Sequence, residues 1–111
     1  MPGVKMALTS LAEKTKALPA VEPAEPEGPW GRNTEQAILT GVVCGSAGAI
    51  RGLTEQYATA LGYWPDVIAT GGDATLIAKY ADFIQAVAPD LLLMGIELTH
   101  EQWRQSQNDD E

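Results

Sequence analysis

The segment 66–74, with the sequence DVIATGGDA, combines residue types that suit an anionic or nucleotide ligand. An apolar run rich in β-branched residues stops at Thr70, Gly71 and Gly72 and passes into a helix-forming stretch. This order predicts a buried strand, a glycine turn and a helix start. Backbone N–H groups and the positive helix end favour phosphates at such a junction, and glycines let a ligand approach the backbone. A turn that only joins strand to helix explains the same pattern, so both interpretations stay open.

A second candidate for ligand binding lies at Asn33 and Thr34, just before a long apolar stretch. Asn33 predicts an N-cap, with Gln36 as the reciprocal partner of a capping box. Thr34 then falls in the first helical turn, where its hydroxyl joins unpaired N–H groups and the positive dipole end. Such a position suits a carboxylate or hydroxyl of a ligand. Helix capping alone explains the same residues, so the role of this pair is also undecided here.

The remaining reactive side chains form no catalytic or metal-binding pattern. Asp73 has no partner carboxylate nearby in the sequence, so we interpret it as an acid favoured by the helix dipole. His100 has no Ser or Cys constellation around it, and Cys44 in a glycine-rich stretch is typical of a small buried residue. We therefore predict no catalytic residue and no metal ligand in this chain.

Composition narrows the class of protein. The 111 residues suffice for one compact domain, and 45% hydrophobic residues indicate a globular chain. A net charge of −8 argues against binding nucleic acid or an anionic membrane. The single cysteine favours a reducing cytoplasm, and we find neither a signal peptide nor an apolar run approaching the roughly 20 residues of a membrane span.

The periodicity predicts which elements position these candidates. A short helix around Met6–Ala12 ends near residues 15–18, before an extended Pro- and Glu-rich connector at 19–31. A long helix follows from Asn33 to about Leu61, with one apolar stripe at helical spacing. That stripe comprises Ile38, Val42, Ala49, Ile50, Leu53, Tyr57 and Leu61.

Four glycines in the long helix recur at spacings of four, three and four residues: Gly41, Gly45, Gly48 and Gly52. Each costs about 1 kcal/mol relative to alanine in a helix, so their number predicts a packing reason. We expect them to form a groove against a very close neighbour. We also expect residues 33–61 to form a single helix with, at most, a kink. Two helices broken near residues 45–48 are the alternative.

The last third of the chain contains a turn, a strand and two further segments. A turn at 62–65 precedes a strand at 67–70 and a helix at 74–81. The apolar run at 91–96 is compatible with a strand, but helical spacing continues through Leu98 and Trp103. Residues 105–111 predict a disordered acidic tail.

Together these segments resemble the C-terminal half of a type III pantothenate kinase. Residues 31–38, GRNTEQAI, are similar to the family motif G-[KR]-N-T-x-x-A-I, and Gly41 and Gly45 match its G-x-x-x-G helix. Residues 67–72, VIATGG, followed by LIA, resemble its adenosine motif. PG and T-x-x-L-P near the start and D-L-x-L-x-G near the end also match. The resemblance runs over residues 2–102.

The resemblance implies a fold, a reaction and its ligands. The fold would be α/β, the C-terminal half of an actin-like, ribonuclease-H-like kinase, helix-rich with few strands, over residues 1–104. The family phosphorylates pantothenate with ATP and Mg²⁺, uses a monovalent cation (K⁺ or NH₄⁺), and works as a homodimer in the cytoplasm. It implies pantothenate binding by Thr34 and Asn33. The adenosine of ATP would lie beside Thr70, Gly71 and Gly72.

The departures from the family pattern concern catalysis. The glycine-rich phosphate loop, the aspartate acting as general base and the aspartate near the monovalent cation have no counterpart in this sequence. Because phosphoryl transfer depends on positioning and charge stabilisation at the transferred group, we expect the chain alone to be inactive, as a truncated product or half of a split enzyme. The alternative is a non-catalytic interaction or regulatory module that binds a partner through its glycine-rich helix.

Overall fold

A computed structural model describes residues 1–109 and shows a helix-rich α/β chain with a small parallel sheet. This agrees with the predicted fold class in being α/β and helix-rich with few strands. In chain order the elements are α1 (Val4–Lys14), α2 (Thr34–Leu61), β1 (Ile68–Ala69), α3 (Ala74–Ala78), β2 (Ala86–Val87) and α4 (Leu91–Asp109).

The long helix α2 has a defined signal at each end. The Asn33 side-chain Oδ1 accepts a hydrogen bond from the Gln36 backbone N–H at 2.8 Å, as the N-cap prediction requires. The prediction that the Gln36 side chain bonds back to Asn33 is wrong, because Gln36 Oε1 instead accepts a hydrogen bond from the backbone N–H of Glu27 at 3.1 Å. At the other end Gly62 has φ 82°, and its N–H donates to the Ala58 carbonyl at 2.9 Å. The 28 residues between form one unbroken helix.

The core lies where α1 and α3 pack on α2. Its buried members are Val4, Leu8, Leu39, Val43, Ala47, Ile77 and Ala81. The buried stripe of α2 is thus shifted by one residue from the prediction, and Leu53, Tyr57 and Leu61 are exposed. Apolar residues occupy both sides of α2. Only the side with Leu39, Val43 and Ala47 is buried, because that side faces α1 and α3.

The expected groove of glycines has no neighbour within the described chain. A Cβ atom added at Gly41, Gly45, Gly48 or Gly52 would meet no atom within 4 Å outside the local helix. The prediction of a very close intramolecular contact is therefore wrong. The stripe lies away from the side of α2 that packs in the core, so the four glycines weaken α2 without any packing gain inside residues 1–109.

We expect Gly45→Ala to stabilise the chain by about 0.5–1 kcal/mol, because alanine fits the open space and lowers the backbone entropy of the unfolded state. Gly62→Ala is the matched control, and it should destabilise because a side chain is strained at φ 82°. Chemical denaturation of the two variants measures both effects. A loss of stability in Gly45→Ala would show that the stripe contacts something in solution.

Strands β1 and β2 form a two-stranded parallel sheet in the register Ile68↔Ala86 and Ala69↔Val87. β1 lies within the predicted strand at 67–70 but is shorter, and the prediction that this strand is buried is wrong, because Ile68 is 57% exposed and the sheet has only two strands. β2 was not predicted, because a two-residue segment without an alternating apolar pattern gives no sequence signal. Helix α3 begins at Ala74 as expected but ends at Ala78, three residues before the predicted end.

Helix α4 settles the ambiguity at residues 91–96 in favour of a helix. It continues to Asp109, so residues 105–109 of the expected disordered tail are helical, while residues 110 and 111 lie outside the described residues. Polar side chains without Gly or Pro after Gly95 allow the helix to continue in solvent. Every described residue of α4 is exposed.

Helix α2 is long and apolar enough to cross a bilayer by length and composition alone, with a mean hydropathy of 1.4 in its most apolar window. The sequence pattern had not suggested a span of this length. The same test is passed by core helices of soluble proteins, and α2 supplies Leu39, Val43 and Ala47 to the core. Its apolar character is thus accounted for in part by packing.

Candidate functional site

A cavity of about 320 Å³ lies beside the start of α2. Its lining residues come from the end of the connector and the first turn of the helix: Glu27, Gly28, Pro29, Trp30, Arg32 and Gln36. Thr34 is the first residue of α2 and is exposed. Two N–H groups of this first turn, those of Gln36 and Ala37, donate to Asn33, which leaves the N–H groups of Thr34 and Glu35 and the positive dipole end at the helix start for a ligand.

The two predicted substrate residues differ in their structural roles. The Asn33 side chain is occupied as the N-cap of α2, which explains its presence without any ligand. The Thr34 hydroxyl makes no hydrogen bond to another residue in the described range, so it is available to a ligand. Arg32 lines the cavity and is exposed. The sequence did not single out Glu27 or Trp30, because a cavity wall built by an irregular segment has no periodic signature.

The connector is held in place by contacts that are distant in sequence. Lys79 forms an ion pair and hydrogen bond with Glu25, and this bond raises the pKa of the Lys79 ammonium. The Tyr80 hydroxyl donates to the Pro26 carbonyl oxygen at 3.5 Å. Val21 packs against the core. The segment expected to be a mostly solvated connector therefore also forms one wall of the cavity, anchored to the residues that follow α3.

Tyr80 shows that this anchor is partly shielded from water. The pKa of its phenol is raised first by burial, which disfavours the phenolate, and then by the nearby Glu25 carboxylate. Its hydroxyl therefore stays protonated as a donor to the connector at neutral pH. No sequence rule links residues 25 and 79, because the contact depends on how α3 packs on α2.

The second set of candidates forms the turn between β1 and α3. Gly71 has φ 110°, a conformation that favours glycine, and its carbonyl accepts a hydrogen bond from the Ala74 N–H at 3.2 Å. A Cβ at Gly71 or Gly72 would meet nothing within 4 Å, so the space beside this backbone is open. The backbone of this turn is therefore accessible from solvent. Because α3 has only five residues, its dipole adds little to phosphate binding.

Thr70 also lies at the edge of a larger, open groove of about 830 Å³ along α4. Leu91, Leu92, Ile96 and Trp103 provide most of its apolar surface. Gly71 and Gly72 do not line this groove. This groove and the cavity at the α2 start share no lining residue. The structure therefore presents two separate candidate sites.

Metal and nucleophile candidates are sparse in the described chain. Among residues 1–109, no group of three or more His, Cys, Asp or Glu side chains could hold a metal ion. The His100 ring stacks on Trp103 with a centroid separation of 5.8 Å, both on α4. Cys44 is half-buried in α2. His100 lines the same open groove as Thr70, whereas Cys44 lines neither that groove nor the cavity at the α2 start.

Comparison with known proteins points to one family. A family profile described as Type III pantothenate kinase matches residues 1–56. Curated proteins of that name are similar over most of the chain. One from Synechococcus elongatus is 42% identical over 99 residues, covering 87% of this chain and 40% of the relative. One from Anaeromyxobacter sp. strain K is 39% identical over 103 residues, covering 93% of this chain and 41% of the relative. One from Dehalococcoides mccartyi is 36% identical over 100 residues, covering 90% of this chain and 39% of the relative. The chain thus spans about two fifths of the length of these relatives.

Proposed function

We propose, from the premise that this chain belongs to the type III pantothenate kinase family, that it contributes the pantothenate-binding and adenosine-binding surfaces of such a kinase. The reaction transfers the γ-phosphoryl group of ATP to the primary hydroxyl of pantothenate. The new bond joins that oxygen to phosphorus, the bond to the departing ADP breaks, and the hydroxyl proton passes to a base. This chain supplies binding groups, and the base and phosphate loop lie in parts of the family's fold that it does not carry.

The cavity at the start of α2 is the observation that carries the substrate assignment. The Arg32 guanidinium lines it, and the Thr34 hydroxyl and the N–H groups of Thr34 and Glu35 belong to the adjoining first turn of α2, outside the lining itself. These are donors and positive charge, which suit the carboxylate and hydroxyl oxygens of pantothenate. Asn33 contributes by fixing the first turn of α2, so its effect on the substrate is through Thr34.

The turn at Thr70, Gly71 and Gly72 is proposed for the adenosine part of ATP. Its open backbone and the positive φ of Gly71 support this assignment. ATP supplies the phosphoryl group when bound. Mg²⁺ would be held in part by the ATP phosphates, and the monovalent cation (K⁺ or NH₄⁺) is proposed on the family resemblance alone.

The complete assembly is proposed to be an actin-like kinase that acts as a homodimer in the cytoplasm. The short parallel sheet, which packs against α3, is compatible with the second half of such a fold. A net charge of −8 supports small-molecule chemistry over nucleic-acid or membrane partners. The fold, dimer and location rest on membership in the family.

The test compares the 111-residue chain with a chimera in which this chain replaces the matched region of the Synechococcus elongatus relative. A coupled assay measures ADP release with and without pantothenate. We expect pantothenate-dependent release from the chimera and none above background from the chain alone. A folded chimera without such activity would argue against the proposed function. Turnover by the chain alone would show that it carries catalytic groups not recognised in its sequence.

A further inference from the structure

One wall of the cavity at the start of α2 is built by a part of the chain that has no regular structure. Residues 27–30 line the cavity and belong to no helix or strand. The hydrogen-bond ladder of a helix or a sheet therefore does not fix this wall, and its position depends on the contacts at either end of it. We call residues 25–31 the wall segment.

The two ends of the wall segment rest on different parts of the fold. Gly31 packs so closely on the first turn of α2 that an added Cβ atom would lie 2.1 Å from a backbone N of that helix. At the other end the Glu25 carboxylate forms an ion pair with the Lys79 ammonium. Beside this pair, the Pro26 carbonyl oxygen accepts a hydrogen bond from the Tyr80 hydroxyl at 3.5 Å. The wall segment thus bridges from the residues after α3 to the start of α2.

Lys79 and Tyr80 form a firm base for the wall segment because the residues on either side of them are buried. Ile77 and Ala81 belong to the core. The Tyr80 backbone N–H also donates to the Ile77 carbonyl oxygen at 2.9 Å. Packing therefore fixes the base, and the wall segment is the part that would move if the contacts between the two were broken.

We propose that Lys79 is a positioning residue for the pantothenate site, because its ion pair with Glu25 holds the wall segment beside the first turn of α2. This inference rests on the proposed function. A displaced wall would change the shape of the cavity next to Arg32 and Thr34, which are assigned to the substrate. The base and the phosphate loop are assigned to parts of the fold outside this chain. Loss of the ion pair should therefore weaken pantothenate binding and leave the chemical step unchanged.

Steady-state kinetics of the chimera described above test the proposal. We expect Lys79→Met to raise the KM for pantothenate by about two- to fivefold, the fold-change that corresponds to an exposed ion pair. The kcat and the KM for ATP should hardly change, and Lys79→Arg should keep the original KM because it keeps the charge. Arg51→Met is the matched control, because it breaks a similarly exposed ion pair with Glu55 within α2. It should leave all three kinetic values unchanged.

Glu25→Gln distinguishes positioning from a direct effect of charge on the substrate. Pantothenate is an anion, so removing a nearby carboxylate would lower its KM if Glu25 acted only through its charge. We expect the KM to rise instead, by the same factor as in Lys79→Met, because both substitutions remove the same ion pair. The double variant should then resemble each single variant. A lowered KM in Glu25→Gln, or single effects that multiply in the double variant, would overturn the proposal.

Proteolysis of the 111-residue chain monitors the wall segment without any kinase activity. A glutamate-specific protease can cut after Glu27, whereas Pro26 blocks cleavage after Glu25. We expect Lys79→Met to speed the cut after Glu27 by about two- to fivefold, because cleavage follows the population of the released segment. Cleavage after Glu55, within α2, reports unfolding of the whole chain and should not accelerate. Mass spectrometry identifies the fragments.

The outcomes separate this inference from the proposed function. If the KM for pantothenate in an active chimera does not respond to Lys79→Met, the inference is wrong and the function stands, whether or not proteolysis becomes faster. Equal rises in the KM values for pantothenate and ATP would also contradict it, because they would indicate a general structural role. A folded chimera without kinase activity would remove the function and the inference together, and faster cleavage after Glu27 would then assign the ion pair to structure alone.

Discussion

Gly31→Ala is expected to displace the connector from the start of α2 and to destabilise the chain by about 1–3 kcal/mol or more. A Cβ atom at residue 31 would lie 2.1 Å from the backbone N of Ala37 and 2.5 Å from the carbonyl C of Gln36. Backbone atoms of a helix cannot move aside as a flexible side chain can, so the segment before the helix must shift. Glu27, whose N–H donates to Gln36, would shift with it.

Gly28→Ala is the matched control, because it lies in the same segment but its Cβ would be 3.9 Å from the nearest atom, the Trp30 carbonyl oxygen. Chemical denaturation compares the free energies of unfolding of both variants with that of the unchanged chain. We expect a clear loss for Gly31→Ala and a small change for Gly28→Ala. Equal stabilities would mean that the connector does not pack against α2 in solution.

Thr34→Val in the chimera should lower the catalytic efficiency for pantothenate by roughly ten- to a hundred-fold. Valine keeps the shape of the side chain but removes the hydroxyl, and a lost hydrogen bond to substrate costs on the order of 1–3 kcal/mol. Steady-state kinetics with pantothenate and with ATP varied separately measures the effect. The KM for ATP should hardly change, because the adenosine is assigned to the turn at 70–72.

Asn33→Ala distinguishes substrate binding from helix capping. It removes the side-chain acceptor of the Gln36 N–H and should lower the unfolding free energy by about 1 kcal/mol. Thr34→Val should leave that free energy almost unchanged, since the cap persists. If Thr34→Val instead affects only stability and both KM values stay near those of the unchanged chimera, Thr34 is a structural residue.

Where local chemistry determines a feature, the sequence predicted it. The side-chain amide of Asn33 and the positive φ available to Gly62 define the two ends of α2 in any tertiary context. Both ends could therefore be predicted from the sequence. The two glycines after Thr70 likewise mark the turn between β1 and α3. The order of motifs along the chain also identified the family, because motif spacing is a property of the sequence itself.

The tertiary structure alone decided which apolar surfaces are buried. Both sides of α2 are apolar, and only the packing of α1 and α3 selects the side with Val43 and leaves the glycines open. The same packing brings Lys79 to Glu25 and so builds the cavity wall. Such contacts depend on the positions of elements far apart in sequence. A periodic pattern shows that a surface must be covered, but it does not specify which neighbour covers it.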